Sequence, residues 1–156
     1  MLAKTNAVRI LDTMKISYTL REYEVSENDV SAEYVAEKIG VEPEKLYKTL
    51  VLKGNAVPFI VAVIPSSAQL DLKKIAKVSG NKHCEMLLMK DLLSVTGYIR
   101  GGCSPIGMKK QFPTYIEELA QTEEQIIISA GKRGLQLVIA PEDLQKAVQA
   151  EFADLI

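Results

Sequence analysis

"YKTLVLKGNAVPFIVAVI", residues 47–64, decides how this chain is built. "YKTLVL" (47–52) is β-prone, "KGN" is a turn signal, and "PFIVAVI" (58–64) returns as a second strand. Pro58 is tolerable there because it opens the strand, where a missing amide hydrogen interrupts no ladder. In the first strand Lys48 shares a face with Leu50 and Leu52. A lysine on an apolar face is costly to desolvate unless it meets a partner or a ligand. The alternative is that it sits at the strand's end and snorkels to water.

Working outward, the elements alternate in type. Ala7, Ile10, Leu11 and Met14 have helical spacing, and "YTLREYEV" (18–25) reads as a strand. Ser31 is placed to cap a helix over "AEYVAEKI" that stops at Gly40. Asp71 is placed to cap "LKKIAKV", which Gly80 closes. A short strand is expected around 84–87, then a helix over "KDLLSVT" ending at Gly97. "PTYI" and "EQIIIS" are strand-like, "AGKRG" turns the chain, and "LQLVIA" returns it. Pro141 suits the first turn of a last helix, with Leu144, Ala147, Val148 and Phe152 as its apolar stripe. Several strands are joined by short turns and no regular βαβ repeat is present. The expected fold class is α/β (α+β), with a mixed, curved sheet.

The 156 residues fit one domain, 1–156, and 47% hydrophobic with 25% charged residues is ordinary globular composition. No apolar run approaches the roughly 18–20 residues that cross a bilayer. The N-terminal stretch lacks the apolar region of a signal peptide, so a cytoplasmic location without membrane contact is expected. A net charge of -1 leaves no global field to attract nucleic acid, so an RNA contact needs a local basic patch or a partner. Lys73, Lys74, Lys77 and Lys82 read as a solvated face. The adjacent pairs Glu117–Glu118 and Glu123–Glu124 diverge on any regular element and do not form an acid/base dyad.

Two motifs carry chemistry. "GGCSPIG" (101–107) places Gly101 and Gly102 where unusual backbone angles and close ligand approach are permitted, and Pro105 stiffens the turn. Such a loop either presents backbone amides to an anion or carbonyl, or is a plain connection. It is not a P-loop, which needs Gly-Lys-Ser/Thr opening a helix. Cys103 would need a depressed pKa to act as a nucleophile; otherwise it is a small packing residue. The lone histidine, His83, adjoins Cys84, but two cysteines and one histidine have no zinc spacing, and no metal or cofactor is expected. "SAGKRG" (129–134) places Ser129 just before a turn whose tip carries Lys132 and Arg133, which makes it either a solvated turn or a phosphate contact.

"YKTLV", "GGCSPIG" and "SAGKRGLQLVIAPEDL", in this order, resemble the free-standing YbaK/EbsC proteins. These are aminoacyl-tRNA deacylases related to the editing domain of bacterial prolyl-tRNA synthetase. The resemblance spans nearly the whole chain and implies a mixed, barrel-like sheet surrounded by helices. It is nearest to the branch that removes cysteine from Cys-tRNA(Pro), sometimes also from Cys-tRNA(Cys). By the family pattern Lys48 is the motif lysine at the pocket. Gly101, Gly102, Ser104, Pro105 and Gly107 form the pocket loop. Ser129, Gly131, Arg133 and Gly134 belong to the second motif, and Tyr23 matches a pocket-side tyrosine. Val30 stands where some relatives carry phenylalanine.

The resemblance also implies a mechanism in which the substrate cysteine's thiol attacks its own carbonyl and leaves as a thiolactone, an intramolecular step that gains from enforced proximity. Amides near Gly101 and Gly102 would stabilise the oxyanion, and Lys48 would orient the ester or terminal ribose. The implied partners are the acceptor end of an aminoacyl-tRNA and prolyl-tRNA synthetase, which would supply tRNA choice. A small pocket alone discriminates by only roughly 1–3 kcal/mol per methylene, so requiring a thiol adds chemical selection. Two rivals stay open at this level. One is a water-dependent deacylase of another mischarged tRNA such as Ala-tRNA(Pro). The other is a non-catalytic aminoacyl-tRNA or synthetase-binding module.

Overall fold

The computed structural model describes residues 4–24, 32–41 and 44–156. The chain runs α1 (Asn6–Thr13), β1 (Thr19–Glu22), α2 (Ala32–Ile39), β2 (Tyr47–Gly54), β3 (Phe59–Pro65), α3 (Leu72–Ser79) and β4 (Cys84–Met86). A single 3₁₀ turn (Met89–Asp91) leads into α4 (Leu92–Thr96), and after the glycine loop comes β5 (Thr114–Glu117). A second 3₁₀ segment (Glu118–Thr122), β6 (Ile126–Lys132), β7 (Leu135–Ile139), α5 (Pro141–Val148) and β8 (Glu151–Ala153) complete it.

The opening stretch is the hairpin β2–β3, in register from Tyr47 opposite Pro65 to Lys53 opposite Phe59. β3 is buried from Ile60 onward because it is the central strand of a sheet ordered β4-β2-β3-β5-β8. Val61 and Val63 face a core shared with α1 and the second sheet, while Ile60, Ala62 and Ile64 face the core under α3. Two-sided burial is why this strand is apolar at every position rather than at alternate ones. β5 runs parallel to β3, and β8 runs parallel to β5.

Two asparagines hold the hairpin turn against the end of α3. Asn81 Oδ1 accepts from the Ala56 and Val57 amides at 2.8 and 2.7 Å. Asn55 Oδ1 accepts from the Lys82 and His83 amides at 2.9 and 3.1 Å.

The second sheet is antiparallel, ordered β1-β7-β6. The sheets meet at a bridge between Leu46 and Ile127, where the Ile127 amide donates to the Lys45 carbonyl at 3.1 Å. They do not close into a barrel, so the expected curved sheet is two sheets of mixed strand direction with helices packed on them. Thr5 caps α1 by accepting from the Val8 amide, and its hydroxyl donates to the Ala130 carbonyl at 2.6 Å, fixing the helix beside β6.

Local signals account for most helix ends. Asp71 Oδ1 accepts from the Lys73 and Lys74 amides, and Gly80 closes α3 in the left-handed region at φ 79°. Gly97 ends α4 in the same way at φ 86°. Ser31, the expected cap of α2, lies outside the described residues.

Two expectations change. Phe152 is not on the last helix: Gln149 adopts φ 54° and its amide donates to the Gln145 carbonyl. That ends α5 at Val148 and sends Phe152 into β8, opposite Ile116. β6 also continues through Ala130, Gly131 and Lys132, so most of "AGKRG" is strand. A register shift between Ser129 and Lys132 absorbs the extra residues, with Gly131 at φ 106°.

Candidate active site

A pocket opens where β2 changes neighbours. At its start β2 is tied to β6 through the Leu46–Ile127 bridge; at its end Leu52–Gly54 pair with β4, and the Leu87 amide donates to the Val51 carbonyl. Between these contacts no described strand pairs with that edge at residues 48–50. Alternate residues of a strand point their backbone polar groups the same way, so the Thr49 N–H and C=O face the gap as the Val51 carbonyl does.

The cavity there has a volume of about 310 Å³, within the range of small-ligand sites. β2 supplies Lys48 and Thr49, the glycine loop supplies Arg100, Gly101 and Cys103, and the β6–β7 hairpin supplies Ser129 and Gln136. Met86, Leu87, Met89 and Leu92 form an apolar wall.

The polar groups of the pocket are poorly committed to one another. The Lys48 side chain forms no hydrogen bond or ion pair among the described residues. Thr49 Oγ1 is buried with no partner among the described residues, an arrangement that costs roughly 1–3 kcal/mol. Gln136 is buried at 4% exposure, and its side-chain amide has no partner among the described residues either. Ser129 Oγ accepts from the Gly131 amide at 3.2 Å, which leaves its hydroxyl proton to donate.

Packing shapes the glycine loop. Gly101 sits at φ 84°. A Cβ on Gly102 would lie 3.0 Å from both the Arg133 amide nitrogen and Lys132 Cα, so the loop rests directly on the hairpin backbone. Arg133 Nε donates to the Arg100 carbonyl at 2.8 Å across the same contact. The Gly102 amide donates to the Ile99 carbonyl at 3.0 Å, so it is spent and does not serve as an oxyanion donor. The Thr49 amide faces the gap, and the Gly101 and Cys103 amides have no partner among the described residues.

Cys103 borders the pocket, but burial pushes its thiol up to about 12, with a hydrogen bond to Thr96 opposing the shift. A neutral thiol is a poor nucleophile. His83 is exposed at the hairpin turn and does not line the pocket. No lining residue among those described is a histidine or a carboxylate.

The structure therefore brings Lys48, Gly101 and Ser129 together. Ser104, Pro105 and Gly107 lie behind them: the buried Ser104 Oγ accepts from the Ile106 amide, and the Tyr98 hydroxyl donates to the Ile106 carbonyl at 2.6 Å. Gly131 and Arg133 shape the hairpin that supports the loop. Tyr23 packs with Val35 in a cluster beside α2, and Val35 borders the pocket. Val30 lies outside the described residues.

Residues 26–147 match the family of aminoacyl-tRNA editing domains. The chain belongs to that family. A protein of Enterococcus faecalis named as a candidate Cys-tRNA(Pro)/Cys-tRNA(Cys) deacylase, EbsC, is 55% identical over 152 residues, 97% of this chain and 93% of the relative. The proline–tRNA ligase of Thermosipho melanesiensis is 26% identical over 106 residues, 60% of this chain but 18% of the ligase. A crystal structure of a candidate trans-editing enzyme for prolyl tRNA synthetase superposes with a TM-score of 0.80 at 20% identity, covering 99% of this chain and 98% of that one. The expectation of an aminoacyl-tRNA editing enzyme stands, and the fold is that of the trans-editing domains.

Within this editing domain, Thr49, Gln136 and Arg100 are pocket residues that sequence reasoning passed over. Thr49 and Gln136 each interrupt an apolar strand, "KTLVL" and "LQLVI", and that interruption was the available signal. No described helix is long and apolar enough to cross a membrane, and no described cluster of three His, Cys, Asp or Glu could hold a metal ion.

Proposed function

We propose that this editing domain removes cysteine from Cys-tRNA(Pro), and from Cys-tRNA(Cys), using the substrate's own thiol as the nucleophile. The observation that carries the reading is a pocket with neither imidazole nor carboxylate among its described lining residues, beside a Cys103 thiol held neutral. The pocket's described lining offers no imidazole or carboxylate to activate water or to activate the Ser129 and Thr49 hydroxyls as nucleophiles. A cysteinyl ester brings its own nucleophile. Its sulfur attacks the ester carbonyl carbon, a C–S bond forms and the ester C–O bond breaks. The thiol proton passes to the leaving ribose oxygen, and cysteine thiolactone and free tRNA result.

The protein's part is to hold the reactive conformer and stabilise the oxyanion. In this reading the Gly101 and Thr49 amides stabilise the oxyanion, and Lys48, Ser129 and Gln136 hold the ester, ribose and α-amine. Prolyl-tRNA synthetase is the proposed partner for tRNA choice; the partial similarity to a proline–tRNA ligase supports it. The test charges tRNA(Pro) with cysteine, serine or alanine and identifies the first product by mass. Thiolactone from the cysteinyl ester alone is expected. Free amino acid as the first product, with alanine released as fast, would sink the proposal and leave a water-dependent deacylase.

A further inference from the structure

The two segments that meet at the pocket mouth have an unusual charge distribution. Neither 92–116 nor 125–141 contains an aspartate or glutamate, although the whole chain has 20 acidic and 19 basic residues. These segments carry Arg100, Lys109, Lys110, Lys132 and Arg133, and the fold sets the hairpin's two cations against the loop. Arg133 Nε reaches the Arg100 carbonyl, Lys132 Cα lies 3.0 Å from where a Gly102 Cβ would be, and Lys109 Nζ reaches the Ser94 carbonyl at 3.3 Å. None of these cations has an ion-pair partner among the described residues.

The other side of the mouth exposes a run of apolar side chains interleaved with Glu85 and Lys90. Met86, Leu88, Met89 and Leu93 are 45%, 59%, 58% and 55% exposed, and Met86 and Met89 also line the pocket. The mouth thus has a cationic rim on the glycine-loop and hairpin side and an apolar rim along β4, the 3₁₀ turn and the start of α4.

We infer that the last nucleotides of the acceptor strand cross this mouth in one orientation, phosphates along Arg100, Lys109, Lys132 and Arg133, bases against Met86, Leu88, Met89 and Leu93. This rests on the deacylase reading above and adds to it where the nucleic acid lies. An unpaired strand presents phosphates on one edge and base faces on the other, and proteins hold it by pairing cations with flat contact surfaces. Methionine and leucine supply soft, adaptable contact in place of aromatic stacking. A double-stranded stem hides its base faces and would leave the apolar rim uncovered. A local rim also answers how a chain of net charge -1 holds RNA.

The test uses two variants of the full chain. Lys132→Gln/Lys109→Met removes two charges while keeping the Lys109 stem over Gly97; Leu88→Ser/Met89→Ser removes the apolar rim. Three probes are compared: Cys-tRNA(Pro), the 3′-cysteinyl ester of adenosine, and an uncharged acceptor microhelix with or without its single-stranded end, whose binding is read by fluorescence anisotropy. For the charge variant, we expect kcat/KM on Cys-tRNA(Pro) to fall about tenfold at low salt. The slope of log affinity for the microhelix against log salt should shrink by about 0.7 per lost single-strand phosphate contact, about 1.4 in all. Activity on the adenosine ester should stay within about twofold. The apolar variant should weaken microhelix binding several-fold with an unchanged salt slope.

An unchanged slope in the charge variant overturns the inference. So does equal binding of the microhelix lacking its single-stranded end, which would place the grip on the stem, and so does equal loss on the adenosine ester. If the parent cleaves neither ester yet binds the microhelix with the expected slopes, the deacylase reading fails and the strand site stands.

Discussion

Replacing Gly102 by alanine tests whether the loop must touch the hairpin. The added Cβ would sit 3.0 Å from the Arg133 nitrogen, 3.0 Å from Lys132 Cα and 3.1 Å from the Lys132 carbonyl carbon. All three are backbone atoms, so no side chain can swing away. Restoring ordinary contact moves the loop or the hairpin by several tenths of an ångström. Overpacking of this kind costs about 1–3 kcal/mol, which for a chain this size lowers Tm by about 2–12 °C.

The same shift displaces Gly101 and Arg100 at the pocket edge. A misplacement near 1 Å costs about 100-fold in rate, so a few tenths should cost about 3–10-fold in single-turnover deacylation. Gly80→Ala is the control. Gly80 has a left-handed φ, 79°, which Gly102 does not, and a Cβ there meets nothing within 4 Å. It should lose about 1–2 kcal/mol from backbone strain and no activity per folded molecule. Thermal unfolding and single-turnover cleavage of Cys-tRNA(Pro) read both quantities. If Gly102→Ala matches Gly80→Ala in both, the close approach does not govern the site.

Lys48→Ala should lose most deacylase activity while Cys103→Ala keeps it, in assays on equally folded protein; equal loss in both would revive Cys103 as the nucleophile. With its thiol near 12 rather than 9.0, Cys103 should alkylate about 1,000-fold more slowly at neutral pH than an unperturbed cysteine. Its rate should rise about tenfold per pH unit, and peptide mass mapping after iodoacetamide measures it. Thr49→Val removes a buried hydroxyl that has no partner among the described residues, so it should raise stability by about 1 kcal/mol while slowing deacylation; a destabilised variant would show that the hydroxyl is satisfied in solution. Asn81→Ala strips the amides of Ala56 and Val57 of their acceptor and should cost about 2–4 kcal/mol with kcat unchanged, as read by denaturant unfolding and turnover.

Much of this was legible in the chain itself. Asp71 followed by an apolar-periodic run and Gly80 defines α3, because a cap and a left-handed stop act within one helical turn. The hairpin at 47–64 is legible for the same reason: β-formers, a turn and a strand-initial proline act on neighbours. Phe152 was misplaced because helical spacing continued past Gln149, whose positive φ is set by the docking of β8 on β5. The extent of β6 was hidden because a register shift at Ser129–Lys132 has no signal beyond one glycine.

The site divides in the same way. The three motifs, and with them the family, stand in the sequence, because a lysine at a strand start and a glycine-rich loop are local patterns. Only the tertiary structure decided that Thr49, Gly101 and Gln136, far apart in the chain, share one cavity, and that the Gly102 amide is spent on Ile99. It also decided that Lys132 and Arg133 stand beside Arg100 at the cavity's mouth. The physical reason is that caps, turns and periodicity report forces between neighbours, whereas a pocket is made where β2 leaves β6 before it meets β4, and that gap depends on the packing of two whole sheets.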